Sequence, residues 1–396
     1  MSEPNASLPQ ELVDAIIDEL YDCRSALLSC SLVSHTFVCR TRRYLFEVLR
    51  LSSHRSCRHY LKLTSQSTTS SHLPLFVKRV ELRGGSHLHA SQSLAHILLL
   101  VKNVEHLKLH DIQWIKFPRA TKVALSSHSY RSISLKCTEL PGFLSLSYLL
   151  EGSRQLQHLS IDRLTLPCTV ACRPNVVSAY IDTLTVRSTD IDVLKGFISG
   201  SCGFFSLDRL QTLQYTIYWK GNGSVIRGNN DRASLKLLLH SLKSNLKHLH
   251  IIEKIYHAIP EMPQNLLPVD LDISCLHRLT IDLSDCNVFQ DSTHAFCLLP
   301  RWISVLQNCP SSLLPKQIYI CLTRVQSTTT QDFSVWSGLD DVLGLASVSL
   351  EITVRSSVVD EIPSVVDAIK SQLPMLCERG LVSFEMIGVF NGRPRT

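Results

Sequence analysis

Glycine is scarce in this chain, and no hydrophobic run is long enough to cross a membrane. The 396 residues include only 15 glycines, about half of what an average usage of ~7% gives. The longest apolar stretch, residues 94–101, is interrupted by His96, whereas a spanning helix needs about 20 apolar residues. The first residues show no basic and apolar leader, so we expect no secretory signal. These features predict an intracellular protein, cytoplasmic or nuclear, with no membrane partner.

The charge and cysteine patterns argue against further classes of protein. Charged residues make up 19% of the chain, below the ~25% of typical globular proteins, which argues against a disordered chain. The net charge of +6 is spread thinly, and the densest basic run is Arg40, Arg42 and Arg43, so we expect no nucleic-acid partner. None of the 14 cysteines forms a C-x-x-C pair, and reduced thiols are the rule inside cells.

Motifs for catalysis and for cofactors are missing as well. The sequence contains no P-loop, no G-x-S-x-G elbow, no H-E-x-x-H and no kinase signature. Histidines alternate on predicted strands, but no cysteine or carboxylate cluster in the sequence completes a ligand set, so we expect no metal and no cofactor. The chain is therefore predicted not to be an enzyme. A thiol enzyme stays open as a hypothesis, because a Cys–His pair needs no fixed spacing.

Leucine and serine dominate what is present, with 63 and 50 residues. The first fifty residues predict three short helices. The first helix begins at a capping box, Ser7–Gln10, and carries two apolar stripes. These stripes are Leu12, Ile16 and Leu20, with Val13 and Ile17 beside them. Further helices are expected over about 25–34 and 37–46. So small a unit cannot bury all of its apolar surface and is expected to need a partner.

These helices resemble the F-box motif. The resemblance is carried by Leu8-Pro9-x-Glu11-Leu12, Ile16, Leu20, Leu27-Leu28, Leu32-Val33-Ser34 and Phe37, with residues 43–51 continuing into a first strand. One departure is the segment 21–26, which is about two residues longer than the common pattern and falls in an interhelix loop, where insertions are tolerated.

The F-box resemblance, to fungal-type proteins that join an F-box to degenerate leucine-rich repeats, implies a function. It implies a helical domain over residues 7–51 that binds a Skp-family adaptor and, through it, a cullin in a ubiquitin ligase. The residues implied to contact the adaptor are Leu8, Pro9, Leu12, Ile16, Leu20, Leu28, Val33 and Phe37.

From residue 46 onward the pattern L-x-x-L-x-L recurs twelve times, with some substitutions. The copies end at Leu51, Leu82, Leu109, Leu135, Ile161, Val186, Tyr215, Ile251, Ile281, Ile320, Leu350 and Met386. Their spacing of about 25–39 residues begins near the ~20–29 of leucine-rich repeats and then widens through insertions. Period-2 alternation predicts a short strand in each copy.

Stretches with helical spacing lie between these copies. They cover residues 93–101, 143–150, 191–198, 233–242, 294–306 and 358–376. The chain is thus predicted to be α/β, with residues 52–396 forming an irregular leucine-rich-repeat solenoid of parallel strands alternating with helices. A doubly wound α/β domain would alternate in the same way, but it normally carries a Gly-rich phosphate loop that is missing here.

Polar residues between the apolar strand positions are expected to face outward and to bind a protein substrate. The candidates are His106, Lys108, His110, His158, Ser160, Arg187, His248 and His250. The leading hypothesis is a substrate-recognition subunit of a Skp–cullin–F-box ubiquitin ligase, whose protein substrate is unknown. The alternative is a scaffold without ligase function, in which the N-terminal helices only cap the solenoid.

Overall fold

A computed structural model describes residues 8–65, 71–84, 88–89, 91–166, 179–188, 193, 205–219, 225–242, 245–255, 271–285, 294–323, 333–356, 362–390 and 393–394. Over these residues the chain is α/β, with twelve strands of an open, all-parallel sheet alternating with helices. This confirms the predicted class and is consistent with a solenoid-like fold. No helix in the described ranges has both the length and the apolarity to cross a bilayer.

The chain divides into two compact units. The first comprises Met1–Ser160 and Leu164–Ala179, and the second comprises Ile161–Arg163 and Tyr180–Thr396. A domain boundary after residue 51 stays a prediction.

Helices and strands alternate regularly as far as residue 162. The helices are α1 (Gln10–Glu19), α2 (Arg24–Val33), α3 (His35–Leu45), α4 (His54–Ser65), α5 (Leu73–Phe76), α6 (Gln92–Leu100), α7 (Arg119–Ser126) and α8 (Phe143–Leu150). The strands are β1 (Val48–Leu51), β2 (Arg79–Arg83), β3 (His106–His110), β4 (Ser132–Lys136) and β5 (His158–Asp162).

The remaining elements repeat the alternation with longer strands. The strands are β6 (Ala179–Tyr180), β7 (Thr183–Arg187), β8 (Phe205–Ser206), β9 (Thr212–Trp219), β10 (His248–Ile255), β11 (Arg278–Asp285), β12 (Gln317–Thr323), β13 (Ser349–Ser356), β14 (Val382–Phe390) and β15 (Arg393–Pro394). The helices are α9 (Val225–Leu242), α10 (His294–Gln307), α11 (Ser337–Leu343), α12 (Ile362–Ser371) and α13 (Pro374–Glu378). Strands β6 and β8 form a separate two-stranded sheet, and β15 pairs antiparallel with β14.

All twelve predicted strands are present. The leucine-type positions of most of them form the core, whereas on β14 Phe384 is half-buried and Met386 is exposed. In the first unit Leu49, Val80, Leu107 and Ile133 lie in register across β1–β4, and all four are buried. In the second unit the same register runs through Leu213, Leu249, Leu279, Ile318 and Leu350. Strands β9–β14 extend beyond the six-residue pattern, because further alternating residues such as Leu283 and Val354 are also buried.

The residue that follows each of four strands has a left-handed backbone. These residues are Asp111 (φ 56°), Cys137 (φ 48°), Arg163 (φ 54°) and Ser188 (φ 46°). The Asp111 amide donates to the Lys136 carbonyl at 2.9 Å, and the Arg163 amide donates to the Arg187 carbonyl at 2.9 Å. These bonds extend the backbone pairing by one residue beyond the strand. The same left-handed turn therefore recurs after these four strands, and none of the four positions is a glycine.

Gly84 holds the equivalent position after β2. Its amide donates to the His110 carbonyl at 2.6 Å. A Cβ atom at this residue would lie 1.7 Å from the Asp111 carbonyl oxygen, so the close approach of the two backbones requires glycine here.

Several helices differ from the sequence prediction. The N-cap of α1 is Pro9 and makes no side-chain cap bond; Ser7, on which the predicted capping box depends, lies outside the described residues. Helix α9 begins at Val225, before the predicted residue 233, and α4, α7 and α11 were not predicted. Of the predicted helix 191–198, only residue 193 is described. The segment 358–376 forms α12 and α13, and the second of these begins at Pro374.

Candidate functional site

The three N-terminal helices share a very small core. Ile17, Leu27 and Leu45 are its buried members, one from each helix. Leu20, Cys30, Phe37, Tyr44 and Phe46 pack against them and are partly buried. Helix α3 contacts both α1 and α2 and also packs on α5. The short core leaves much of the apolar surface of α1 and α2 uncovered.

A polar clamp holds α1 on α3. Arg40 donates from Nε to Asp18 Oδ1 at 2.7 Å and from Nη2 to Asp18 Oδ2 at 2.5 Å. The Tyr44 hydroxyl donates to Asp18 Oδ1 at 2.7 Å. Hydrogen bonds from Arg40 and then from Tyr44 lower the pKa of Asp18 to about 2. The carboxylate is therefore ionised at any physiological pH, and the spacing of the two helices is fixed by charge as well as by packing.

One apolar stripe of α1 faces solvent. Leu8, Leu12 and Ile16 follow one another at four-residue intervals, and their exposed fractions are 55%, 55% and 48%. Val13 and Ile17, on the adjacent stripe, are buried. The helix is thus apolar on two faces, and only one of them is satisfied within the chain.

Helix α2 carries a second exposed apolar group at its C-terminal half. Leu28, Leu32 and Val33 have exposed fractions of 47%, 88% and 75%. Only Leu27 of this helix is buried. We call the exposed side chains of the two helices the apolar surface; it comprises Leu8, Leu12, Ile16, Leu28, Leu32 and Val33.

The eight residues expected to contact an adaptor fall into two groups. Leu8, Pro9, Leu12, Ile16, Leu28 and Val33 are exposed. Leu20 and Phe37 are partly buried and pack against the core. They therefore support the helices that carry the apolar surface and do not belong to that surface. Leu32, the most exposed of these apolar residues, was missing from the predicted set, although its place in the pair Leu32-Val33 was a signal for it.

The residues predicted to bind a substrate lie on the outward face of the strands, which is the face opposite the buried apolar side chains. In the first unit His106 lies in register between Arg79 and Ser132, and Lys108 lies between Glu81 and Ser134. Lys108 is exposed and His106 is half-buried, while the apolar residues that alternate with them are buried. This burial pattern agrees with the outward orientation expected of these side chains, and their binding of a substrate stays a prediction.

His110 completes the set on β3, between Arg83 and Lys136. Burial lowers the pKa of both His106 and His110, and neighbouring cations lower it further. On β5, His158 is exposed and Ser160 is half-buried. This face therefore combines permanent positive charge with the imidazoles of His106 and His110, whose pKa lies below the ordinary histidine value.

The second unit holds the other three candidates. His248 lies between Thr212 and Arg278 in register, and its ring centroid is 6.2 Å from that of His277. Burial lowers the pKa of His250, Asp282 raises it, and the charge of Arg187 lowers it. Arg187 and His250 are therefore close enough to interact. The eight candidates are divided between the two units, and each group forms its own polar face.

Comparison with known proteins adds no family to this geometry. No protein-family model matches the chain, and a search of curated proteins gives no significant match.

Proposed function

We propose that this chain is a substrate-recognition subunit of a Skp–cullin–F-box ubiquitin ligase, in which residues 7–51 are the F-box and the later strands belong to degenerate leucine-rich repeats. The apolar surface would bind a Skp-family adaptor and, through it, a cullin. The observation that carries the proposal is the exposure of Leu8, Leu12 and Ile16 above a satisfied core. Apolar patches of this kind mark protein interaction sites.

The exposure of these residues favours adaptor binding over a simple capping role for α1–α3. A helical cap would turn its spare apolar face toward the rest of the chain and bury it. Here α3 makes the contact with the following elements through α5, and β1 continues directly from it into register with β2. Of the apolar residues of α1 and α2 that match the F-box pattern, Leu27 is buried, and those left in solvent are Leu12, Ile16, Leu28, Leu32 and Val33.

No chemistry by the chain itself is needed for this function. A subunit that holds a protein substrate near a ubiquitin-charged enzyme raises the effective concentration of the reacting groups. The outward strand faces, with Lys108 and His158 in the first unit and Arg187 in the second, are the proposed substrate surface. The positive charges of Lys108 and Arg187 favour a substrate segment that is acidic.

Co-purification of the full chain with a Skp-family adaptor tests the proposal. We expect wild type to retain the adaptor and Leu8→Ala/Pro9→Ala to lose most of it. Leu345→Ala is the matched control, because Leu345 is 85% exposed at a site remote in sequence, and it should bind as wild type does. Equal retention by all three proteins, or by none, would exclude adaptor binding through this surface.

The scaffold alternative makes a different prediction about deletion. If α1–α3 only cap the sheet, removal of residues 1–45 should expose core residues such as Leu49 and collapse the folded state. If they form a docking module, the remaining chain should keep a cooperative unfolding transition and lose adaptor binding only.

A further inference from the structure

Three side chains with metal-ligand chemistry meet at the carboxyl ends of β3 and β4. They are His110, Asp111 and Cys137, and their ligand atoms all lie within 4.8 Å of one another. His110 Nε2 is 3.4 Å from Asp111 Oδ2. His110 and Cys137 are half-buried, and Asp111 is exposed. All three belong to the first unit.

The repeat geometry explains why these residues meet. Asp111 and Cys137 are each the first residue after a strand, and both have the left-handed backbone described above. The hydrogen bond from the Asp111 amide to the Lys136 carbonyl fixes the two turns side by side. Because neighbouring strands lie about 4.8 Å apart, equivalent side chains come within reach of a common ligand. The sequence alone does not show this, since Cys137 belongs to the next repeat.

The three side chains converge on one point. This is the arrangement expected of a metal site and differs from that of a catalytic relay. In a relay the imidazole stands between the nucleophile and the orienting carboxylate, with a hydrogen bond of about 3 Å on either side of the ring. The thiol and the carboxylate would then lie well over 4.8 Å apart. Here the sulfur of Cys137 and a carboxylate oxygen of Asp111 are within 4.8 Å of each other.

We propose that His110, Asp111 and Cys137 bind one Zn(II) ion, with water in the fourth position. A thiolate, an imidazole and a carboxylate suit zinc, whereas calcium and magnesium prefer oxygen ligands alone. Tetrahedral zinc with bonds of about 2.0–2.2 Å to nitrogen and oxygen places these donors about 3.3 Å apart. The His110–Asp111 separation of 3.4 Å already meets that requirement.

The charges around the site influence its affinity. Arg83 and Lys136 flank His110 on the neighbouring strands, and Lys108 lies two residues before it on β3. The same cations repel a bound dication, so we expect weaker binding than at a structural zinc site with four protein ligands. The proposal is independent of adaptor binding.

Cobalt(II) titration of the chelator-treated full chain tests the site directly. We expect one ion per chain at this site, with tetrahedral ligand-field absorption and a thiolate-to-cobalt charge-transfer band, both removed by Zn(II). Cys137→Ser should abolish the charge-transfer band. His110→Ala and Asp111→Asn should each weaken binding at least about tenfold. Asparagine tolerates the left-handed backbone, so Asp111→Asn removes the charge without adding strain.

Two variants serve as matched controls. His106→Ala changes the histidine four residues earlier on the same strand face, and Cys39→Ser removes an exposed thiol on α3; both should titrate as wild type does. A charge-transfer band that survives in Cys137→Ser, wild-type affinity in His110→Ala, or the absence of a tetrahedral spectrum in wild type would overturn the proposal.

A second measurement on wild type does not depend on the folding of any variant. In alkylation followed by mass spectrometry, Zn(II) should protect Cys137 and leave Cys39 reactive. Equal labelling of Cys137 with and without Zn(II) would also contradict the site.

Discussion

Asp18 on α1 and Arg40 on α3 form a two-point ion pair, with N–O distances of 2.7 and 2.5 Å. Tyr44 adds a third hydrogen bond to the same carboxylate. The pair connects the helix that presents Leu12 and Ile16 to the helix that continues into the sheet. The orientation of the apolar surface thus depends on a polar contact at its back.

We expect Asp18→Asn to loosen α1 from α3. The pKa of Asp18 is lowered from 3.8 to about 2, so its contribution to stability is present above about pH 4 and is lost as the pH falls toward 2. Hydrogen exchange of the α1 amides should be faster in the variant near neutral pH. The difference from wild type should vanish at the acid end of this window. Glu19→Gln, an exposed change on the same helix, is the control. Equal exchange rates in all three proteins near neutral pH would contradict the role of the pair.

The left-handed turn after β7 predicts opposite effects of two substitutions at Ser188. Ser188→Gly should leave stability unchanged or raise it, because glycine adopts φ 46° without strain. Ser188→Val should lower the free energy of unfolding by about 1–2 kcal/mol. Urea unfolding of the full chain measures both. The control is Ser134→Val within β4, where a β-branched residue is favoured; a loss there as large as at Ser188 would show that backbone conformation is not the cause.

Asp340 is a buried carboxylate that caps α13. Its oxygens accept the amides of Met375 at 3.0 Å and Leu376 at 2.9 Å. Asp340→Ala leaves both donors without an acceptor in the interior, and we expect a loss of about 2–4 kcal/mol in the free energy of unfolding. Asp341→Ala, an exposed change at the next residue, should be close to neutral. Comparable losses from the two variants in thermal unfolding would refute the capping role.

Acid should destabilise the chain through histidines whose pKa is lowered in the folded state. Burial lowers the pKa of His128, whose Nε2 is 2.9 Å from the Leu98 carbonyl oxygen, and of His106, His110, His248 and His250. The unfolded state then binds protons first, so stability should fall as the pH drops below the ordinary histidine value of about 6.5.

The pH dependence of chemical unfolding measures this effect. His128→Gln should reduce the slope of stability against pH between about 6.5 and 5. His72→Gln, at an exposed residue, should not change it. An unchanged slope in His128→Gln would show that His128 is not one of the groups responsible.

The sequence was a good guide to the strands and a poor one to the turns between them. Alternation of apolar residues located all twelve parallel strands, because residues such as Leu107 and Leu279 must be buried in register whatever the loops do. The sequence does not predict helix α7, because two of its three buried residues, Thr121 and Ala124, are not strongly apolar.

Local sequence patterns are not sufficient to predict the apolar surface or the cluster at Cys137. A stripe such as Leu12 and Ile16 is apolar whether it is buried or exposed, so the expectation that it stays uncovered depends on the small size of the unit and on the F-box resemblance. The meeting of Asp111 and Cys137 arises from strand register between repeats, which no local spacing encodes.

Calorimetric titration of the purified full chain with a Skp-family adaptor is the most direct test of the proposed function. We predict one-to-one binding that Leu12→Ala/Ile16→Ala weakens by about 2 kcal/mol or more, roughly 30-fold. The control Leu99→Ala/Ile115→Ala, which changes two exposed apolar residues elsewhere in the first unit, should bind with wild-type affinity. Absence of binding by wild type, or equal affinity of the two double variants, would contradict the account.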